Sequence, residues 1–467
     1  MIIKCDRTDK MKKLFFFGFA IIAMFSACSG EEVLVGGNEV VDPNNPTNSI
    51  VVQNSDVEIR LSPNANSSSG GGSMRSAILS DPTDSTFAID GLGVYGLAYA
   101  KQSESSIAEA VNWTTSGNAY NICLNNVESN AVKVDKKKIS RDGEGNIVYE
   151  NGVPVYETVY KEDGITPEKV TEIHWADGLT RYYPMGGWYK YNFYAYYPQV
   201  ANARIERSNG QLNATMEIDG STDILWGRTR PNAAEQTQNA YSASYFRNED
   251  NADTIPILRM KHVLTRFRFK AYAGEPFPTG ENVESQGIKI VDIKVHNVPQ
   301  SVTLAIARQN EATHGWDVDA SADTEGTLSQ MSSTLQELHL KEEGVTQTQY
   351  GGYLTNPYTL LNSHNTTTPL YINTGNTAED TVGDGIMLPA GNMSYALTVT
   401  MIDNTYDGTE NTLFKNEEPF TLVIPEGGYL PGRSYWIELT INPRKEITAR
   451  ATLIPWQEAD TPIGLEF

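Results

Sequence analysis

Apolar residues in this chain recur at every second position in short runs, and that period confines it to β-structure. Arg266-Phe267-Arg268-Phe269-Lys270 alternates cleanly, as do Ile288-Lys289-Ile290-Val291-Asp292-Ile293-Lys294-Val295 and Tyr435-Trp436-Ile437-Glu438-Leu439-Thr440-Ile441. Val94 to Tyr99, Tyr191 to Tyr197 and Tyr395 to Met401 read as further strands. Ile147 to Glu150 and Val153 to Tyr156 flank Asn151-Gly152, the pair that favours a two-residue hairpin turn. Turn residues punctuate the runs at short intervals, and no stretch of helical period exceeds about three turns. Many short alternating strands predict sandwiches, so the expected fold class is all-β. A chain of 467 residues can bury an ample core and is long enough for two domains. Pro and Gly cluster from Ala273 to Glu284, which places the expected break there and gives domains over 51–275 and 285–467.

The N-terminus carries an export signal. Met11-Lys12-Lys13 opens a basic segment and offers an alternative start to Met1. Leu14 to Phe25 is an apolar run long enough for a signal-peptide core and too short to span a bilayer. Phe25-Ser26-Ala27-Cys28 resembles the lipobox of bacterial lipoproteins, in which a peptidase cuts before the cysteine and the thiol is diacylated. Residues 1–27 are therefore expected to leave as a signal peptide, with Cys28 as the lipidation site. More than one acyl chain on a residue makes a stable anchor, where one alone binds weakly. Residues 28–50, rich in Gly, Asn and Pro, are expected to be a flexible tether. Glu31-Glu32 resembles the acidic surface-export signal of Bacteroidetes lipoproteins, and equally suits a plain solvated linker.

Cys5 departs with the leader and Cys28 is lipidated, so Cys123 keeps the one remaining thiol, which can build neither a disulfide framework nor a thiolate metal site. Net charge is −22. Residues 1–27 carry five basic and two acidic side chains, which leaves the remainder near −25 and makes nucleic acid a poor partner. Gly91-Leu92-Gly93-Val94-Tyr95-Gly96 matches a dinucleotide-binding spacing, but that motif needs a strand before it and a helix after it. A strand follows here, so these read as strand and turn glycines. Asp403-Asn404-Thr405-Tyr406-Asp407-Gly408 begins like a calcium loop, yet Phe414 stands where a bidentate Glu is required. The six histidines are scattered singly, and no G-x-S-x-G elbow occurs. No cofactor, metal site or catalytic residue is expected, and the chain does not read as an enzyme. Tyr182-Tyr183 and Trp188-Tyr189-Lys190-Tyr191 are dense enough to suggest a sugar-stacking platform, although aromatics alternating on a half-buried strand ordinarily fill a core.

Near the start of the body, Val57, Ile59 and Leu61 alternate with polar neighbours in a first strand over 51–62. Asn64 to Met74 (NANSSSGGGSM) then forms a segment unable to pack, ending at Arg75, where a protease can grip extended backbone. Further on come Phe193-Tyr194-Ala195-Tyr196-Tyr197-Pro198, Asp223-Ile224-Leu225-Trp226-Gly227, Lys261-His262-Val263-Leu264-Thr265-Arg266-Phe267, and an ending from Gly432-Arg433-Ser434-Tyr435 through Trp456. In that order, with the lipobox and the Arg75 loop, these phrases make the chain resemble the Bacteroidales fimbrillin-like proteins that build type V fimbriae. His262 is then expected to pack or hydrogen-bond within the N-terminal domain.

The resemblance implies two tandem transthyretin-like β-sandwich domains. It also implies lipidation, export to the outer-membrane surface and trimming by an arginine-specific protease in the loop after the first strand. Loss of that strand opens a groove, which a strand from the C-terminal region of another subunit fills. An open edge exposes unpaired backbone groups, and strand addition satisfies them. The contact is head-to-tail, so it builds a filament. Carried onto this chain, residues 51–62 are the removable strand, with Val57, Ile59 and Leu61 facing inward, and Arg75–Ser76 is the expected cut. Arg60 is second choice because it lies within the strand. Glu446 to Phe467 is the expected donor, with Ile447, Ala449, Ala451 and Leu453 alternating, then Ile463, Leu465 and Phe467. Expected partners are other fimbrial subunits, the outer membrane through the lipid, and the protease, with adhesion as the outcome. A polar hairpin insertion from Lys136 to Lys169 exceeds what a minimal stalk subunit needs, so stalk, tip and anchor roles stay open. Asp253-Thr254-Ile255 and Asp380-Thr381-Val382 resemble Bacteroidetes O-glycosylation sites. The alternative function is a surface glycan-binding lipoprotein of a polysaccharide-uptake system, which would keep its lipid and its first strand.

Overall fold

The structure, a computed structural model, describes residues 38–42, 45–52, 54–63, 88–102, 108–110, 121–150, 153–184, 189–208, 210–230, 241–273, 288–308, 326–341, 358–360, 382–403, 412–415, 419–441 and 447–455. These are overwhelmingly strand, as the period-two patterning predicts. A short α-helix, Ala243–Arg247, is capped by the Ser242 hydroxyl, which accepts the Tyr245 N–H.

In the N-terminal half the strands are β1 Asn54–Glu58, β2 Ser62–Pro63, β3 Ile89–Gln102, β4 Ile122–Asp135 and β5 Lys169–Trp175. They continue with β6 Tyr182–Pro184, β7 Tyr189–Tyr197, β8 Gln211–Glu217, β9 Leu225–Thr229 and β10 Ile257–His262. The largest sheet runs β5-β4-β3-β7-β9-β10-β2. It is antiparallel until β2 joins β10 in parallel, Ile257 opposite Ser62 and Leu258 opposite Pro63. β7 is buried on both faces, which explains its run of aromatics. Tyr191, Phe193 and Ala195 enter one core, while Tyr194 and Tyr196 enter a second one shared with the C-terminal half.

The C-terminal half contributes β11 Thr265–Ala273, β12 Ile288–Pro299, β13 Ser301–Arg308, β14 Val382–Leu388, β15 Ala396–Asp403, β16 Arg433–Ile441 and β17 Ile447–Pro455. One sheet runs β14-β11-β16-β17, and another is built on the antiparallel pair β12 and β15. Phe267, Phe269, Ile437 and Leu439 from the first meet Ile293, Val295, Val399 and Met401 from the second in one apolar cluster. That is the arrangement expected when two amphipathic sheets bury their inner faces. A further sheet pairs β8 with β13, and Leu212, Met216, Leu304 and Ile306 carry its apolar side into the same cluster. β11 precedes the Pro- and Gly-rich segment yet is hydrogen-bonded between β14 and β16, with Arg266 opposite Ser434 in a parallel ladder. Residues 274–287 lie outside the described residues.

Two segments differ from their expected form. Asn38–Asp42, within the anticipated tether, pairs with Asn45–Val52, so Val51 and Val52, expected to open the first strand over 51–62, instead close a separate two-stranded ladder rich in β-branched residues. The insertion between β4 and β5 is a double ladder in place of one simple hairpin. Tyr156–Thr158 pairs with Lys137–Ile139, and Tyr149–Glu150 with Val153–Pro154. Residues 151–152, the expected turn, are outside the described set.

The glycines of the would-be nucleotide motif lie within β3. A Cβ at Gly93 would fall 2.4 Å from the Tyr196 ring, and one at Gly96 would fall 2.4 Å from Cys123 Sγ. Close packing between strands, not phosphate approach, is what requires glycine there. Cys123 is buried, and burial pushes its thiol up, away from the reactive thiolate form.

Candidate functional site

The first strand lies in a seam between two sheet edges. β1 pairs with β6, Glu58 opposite Tyr182 and Asn54 opposite Pro184. Ser55 Oγ donates to the Tyr183 carbonyl at 2.8 Å, and the Ile59 N–H donates to the Arg181 carbonyl at 2.7 Å. Past Arg60 the segment is held from both sides. The Leu61 carbonyl accepts the Ile173 N–H of β5 at 2.9 Å, and the Ser62 N–H reaches the Pro256 carbonyl beside β10 at 3.0 Å. Ser62 Oγ donates to the Thr171 carbonyl at 2.7 Å. β5, one outer strand of the large sheet, and β10, the strand that β2 joins at the other end, therefore meet across residues 61–63.

The side chains explain why this segment fits. Ile59 is 2% exposed and Leu61 is fully buried; both pack in a cluster with Ile173, Trp175, Tyr183, Phe193 and Leu258, and Val57 is half-buried against it. Burying an Ile or Leu contributes about 1.5–3 kcal/mol each. Arg60, between them, turns outward to Glu172 at 2.8 Å, and its guanidinium lies 5.2 Å from the centre of the Tyr156 ring. The side chains of Arg60 and Glu172 are only 17% and 14% exposed. Removing the segment leaves an apolar slot, unpaired carbonyls on residues 181 and 256, an unpaired N–H on Ile173, and Glu172 without its cation. Nothing in the local sequence signals the Glu172 and Tyr156 contacts. Both partners lie more than ninety residues downstream, and Tyr156 belongs to the insertion.

At the other end of the chain, Ile447, Ala449, Ala451 and Leu453 all lie on β17, the outer strand of its sheet. Their register partners on β16 are Ile441, Leu439, Ile437 and Tyr435. Directly opposed residues share a face, so the four positions lie on the face that β16 gives to the core through Ile437 and Leu439. Cys28, Arg75, Ser76, Ile463, Leu465, Phe467 and Trp188 lie outside the described residues, as do residues 404–411 of the calcium-like turn. Of the suspected aromatic platform, Tyr183 and Tyr191 are 1% exposed and pack with Phe193, Tyr183 meeting it edge-on at 5.9 Å, while Tyr182 and Tyr189 are half-buried. Tyr183 and Tyr191 fill the core.

The motifs that support the resemblance converge in space. In β7 and β9, Tyr194 is opposite Arg228 and Tyr196 opposite Trp226. The buried Asp223 accepts the Ile224 N–H at 2.7 Å and forms a very short hydrogen bond with His262 Nδ1. Thr265 Oγ1 donates to the Arg433 carbonyl at 3.0 Å, and the Gly432 N–H donates to the Leu264 carbonyl at 2.8 Å. Gly432 has φ +65°, a conformation that suits glycine. Trp226 Nε1–H donates to the Ile306 carbonyl at 2.8 Å. Phrases scattered over two hundred residues thus build one junction between the two halves.

Residues 155–456, more than half of the chain, match the protein family described as Fimbrillin-like. The first strand precedes that match. Among curated proteins no sequence matches. Among solved structures, a fimbrial protein from Bacteroides vulgatus is 13% identical with a TM-score of 0.38, over 79% of this chain and 92% of that one. A candidate cell-adhesion protein from Bacteroides uniformis is 12% identical with a TM-score of 0.39, over 79% and 92%. The C-terminally truncated tip fimbrial protein Mfa3 of Porphyromonas gingivalis is 10% identical with a TM-score of 0.29, over 86% and 99%. The matched region contains the whole junction from β7 to β16, and the chain belongs to the fimbrillin-like family.

Proposed function

We propose that this protein is a structural subunit of a cell-surface fimbrium that assembles by strand exchange and contributes to adhesion. One observation carries the reading: residues 61–63 bond β5 on one side and β10 on the other while residues 54–59 bond β6 and the Arg181 carbonyl, and none of these partners adjoins the segment in sequence. A strand inserted in this way can be withdrawn without unfolding the strands that flank it, and the vacancy is a template for another strand. Cys28 anchors the precursor in the outer membrane, an arginine-specific protease cuts at Arg75–Ser76, and the first strand leaves. β17 of another subunit, with Ile447, Ala449, Ala451 and Leu453 as its inward residues and Ile463, Leu465 and Phe467 beyond, then enters the groove. Because β17 is, among the described residues, the outermost strand of its sheet and bonded there to β16, it can be peeled away at the cost of that ladder. Its partners are subunits of the same fimbrium, not nucleic acid.

Limited digestion of the delipidated protein with an arginine-specific protease tests this, with N-terminal sequencing and size-exclusion chromatography as readouts. A new terminus at Ser76 with a ladder of oligomers is expected. A resistant Arg75 bond, or a trimmed chain that stays monomeric, would overturn it.

A further inference from the structure

The slot filled by residues 57–62 carries a charge as well as a shape. Its apolar part takes Ile59 and Leu61, while Glu172 on its rim holds Arg60 at 2.8 Å with both side chains largely buried. A strand that replaced the first one without a cation at that place would leave a carboxylate facing the slot with no counter-charge, which is costly at a largely buried position. β17 supplies one. Val57-Glu58-Ile59-Arg60-Leu61-Ser62 and Ile447-Thr448-Ala449-Arg450-Ala451-Thr452 share an order: apolar, polar, apolar, Arg, apolar, hydroxyl. In its own sheet β17 already divides its faces this way. Ala449 and Ala451 lie opposite the buried Leu439 and Ile437, and Arg450 lies opposite a carboxylate, Glu438.

We propose that Glu172 selects and sets the register of the incoming strand, so that Arg450 of a second copy of this chain takes the place of Arg60 and Thr452 that of Ser62. The proposal rests on the strand-exchange reading and goes beyond it by fixing one register. Packing alone favours a different one, two residues along, which puts Leu453 where Leu61 sits and Thr452 opposite Glu172. The charge register leaves alanines where Ile59 and Leu61 were but keeps Glu172 paired. It also offers a hydroxyl to the Thr171 carbonyl, which Ser62 Oγ now satisfies at 2.7 Å.

The test uses the full chain with a sequence-specific protease site placed within residues 64–74, nicked so that the first strand stays in its slot. Fluorescent peptides of residues 446–455, wild type and Arg450→Glu, are added in excess, and a peptide of residues 54–63 reports whether the slot exchanges at all. The wild-type peptide is expected to enter the wild-type chain at least tenfold more tightly than the Arg450→Glu peptide, and a Glu172→Arg chain to reverse that preference. Equal binding of both peptides would overturn the register while leaving strand exchange standing. Entry of the 54–63 peptide alone would overturn exchange by this donor, and entry of none would overturn exchange itself. If Glu172→Arg does not fold, Glu172→Gln is expected to abolish the preference between the two peptides, and a preference that persists would refute the role of Glu172.

Discussion

Replacing Leu61 by alanine isolates what holds the first strand in place. The side chain is fully buried in the N-terminal cluster with Ile59, Ile173 and Leu258, and its carbonyl bonds β5. Alanine keeps the backbone bond and removes the packing, so the loss is the transfer of the missing atoms plus the cavity they leave, about 2–5 kcal/mol. At about 3 kcal/mol, and with about 1.4 kcal/mol per factor of ten, a nicked chain would release its first strand roughly a hundredfold more readily. In the uncut chain the same loss appears as a lower urea midpoint at unchanged slope. Val57→Ala serves as the internal standard: Val57 is half-buried and loses fewer atoms, so about 1 kcal/mol or less is expected. The assay follows a fluorophore on the N-terminal segment after nicking, with release half-times compared across wild type, Val57→Ala and Leu61→Ala. Equal half-times for the two variants, or a Leu61→Ala effect under about 0.5 kcal/mol in urea, would mean that the segment lies on the sheet without plugging it.

Three other substitutions or conditions probe the scaffold. Gly96→Ala forces a Cβ to within 2.4 Å of Cys123 Sγ and should cost about 1–3 kcal/mol; adding Cys123→Ala should recover part of it, and additive losses in chemical denaturation would contradict the clash. Asp223→Ala removes the acceptor of both His262 Nδ1 and the Ile224 N–H, with an expected cost of about 1–3 kcal/mol. His262→Ala should be strongly non-additive with it in a double-mutant cycle, and full additivity would show that the pair does not act as a unit. In the exposed arm, the Thr166 hydroxyl, then the Thr166 and Ile165 N–H groups, hold the Asp163 carboxyl down at about 2. A depressed carboxylate contributes order that is present above its ordinary range and is lost as pH falls through the folded value. Carboxyl NMR should therefore show Asp163 titrating near pH 2, and a midpoint at its unperturbed 3.8 would refute the turn.

How far the sequence alone reaches can be judged strand by strand. The all-β class was legible because period-two alternation is a local property, imposed on each strand by one buried and one wet face. Val57, Ile59 and Leu61 could be singled out for the same reason, as could the glycines of β3, since a strand following them rules out the helix that phosphate binding requires. The role of His262 was also within reach, because it sits in a phrase read as packing. Its partner was not, because Asp223 lies thirty-nine positions away, and the pairing exists only once β9 and β10 adjoin.

Tertiary structure decided the rest. The double burial of β7 could not be read from its aromatics, because a strand carries no sign of how many sheets will cover it. β11 looks like the last strand of an N-terminal unit, yet it pairs with β16 in parallel, a non-local choice that no short window encodes. Local pattern predicted one strand over 51–62, where the structure has strand at 54–58 and 62–63 and pairs Val51 and Val52 with the segment before them; it did not show that the ends of the segment bond different edges, and it carried no hint of the Glu172 and Tyr156 grip on Arg60. Alternation along a chain records which side of each strand meets a core. Which strands become neighbours, and where a charge finds its counter-charge across a sheet, follows only from the closure of the whole fold.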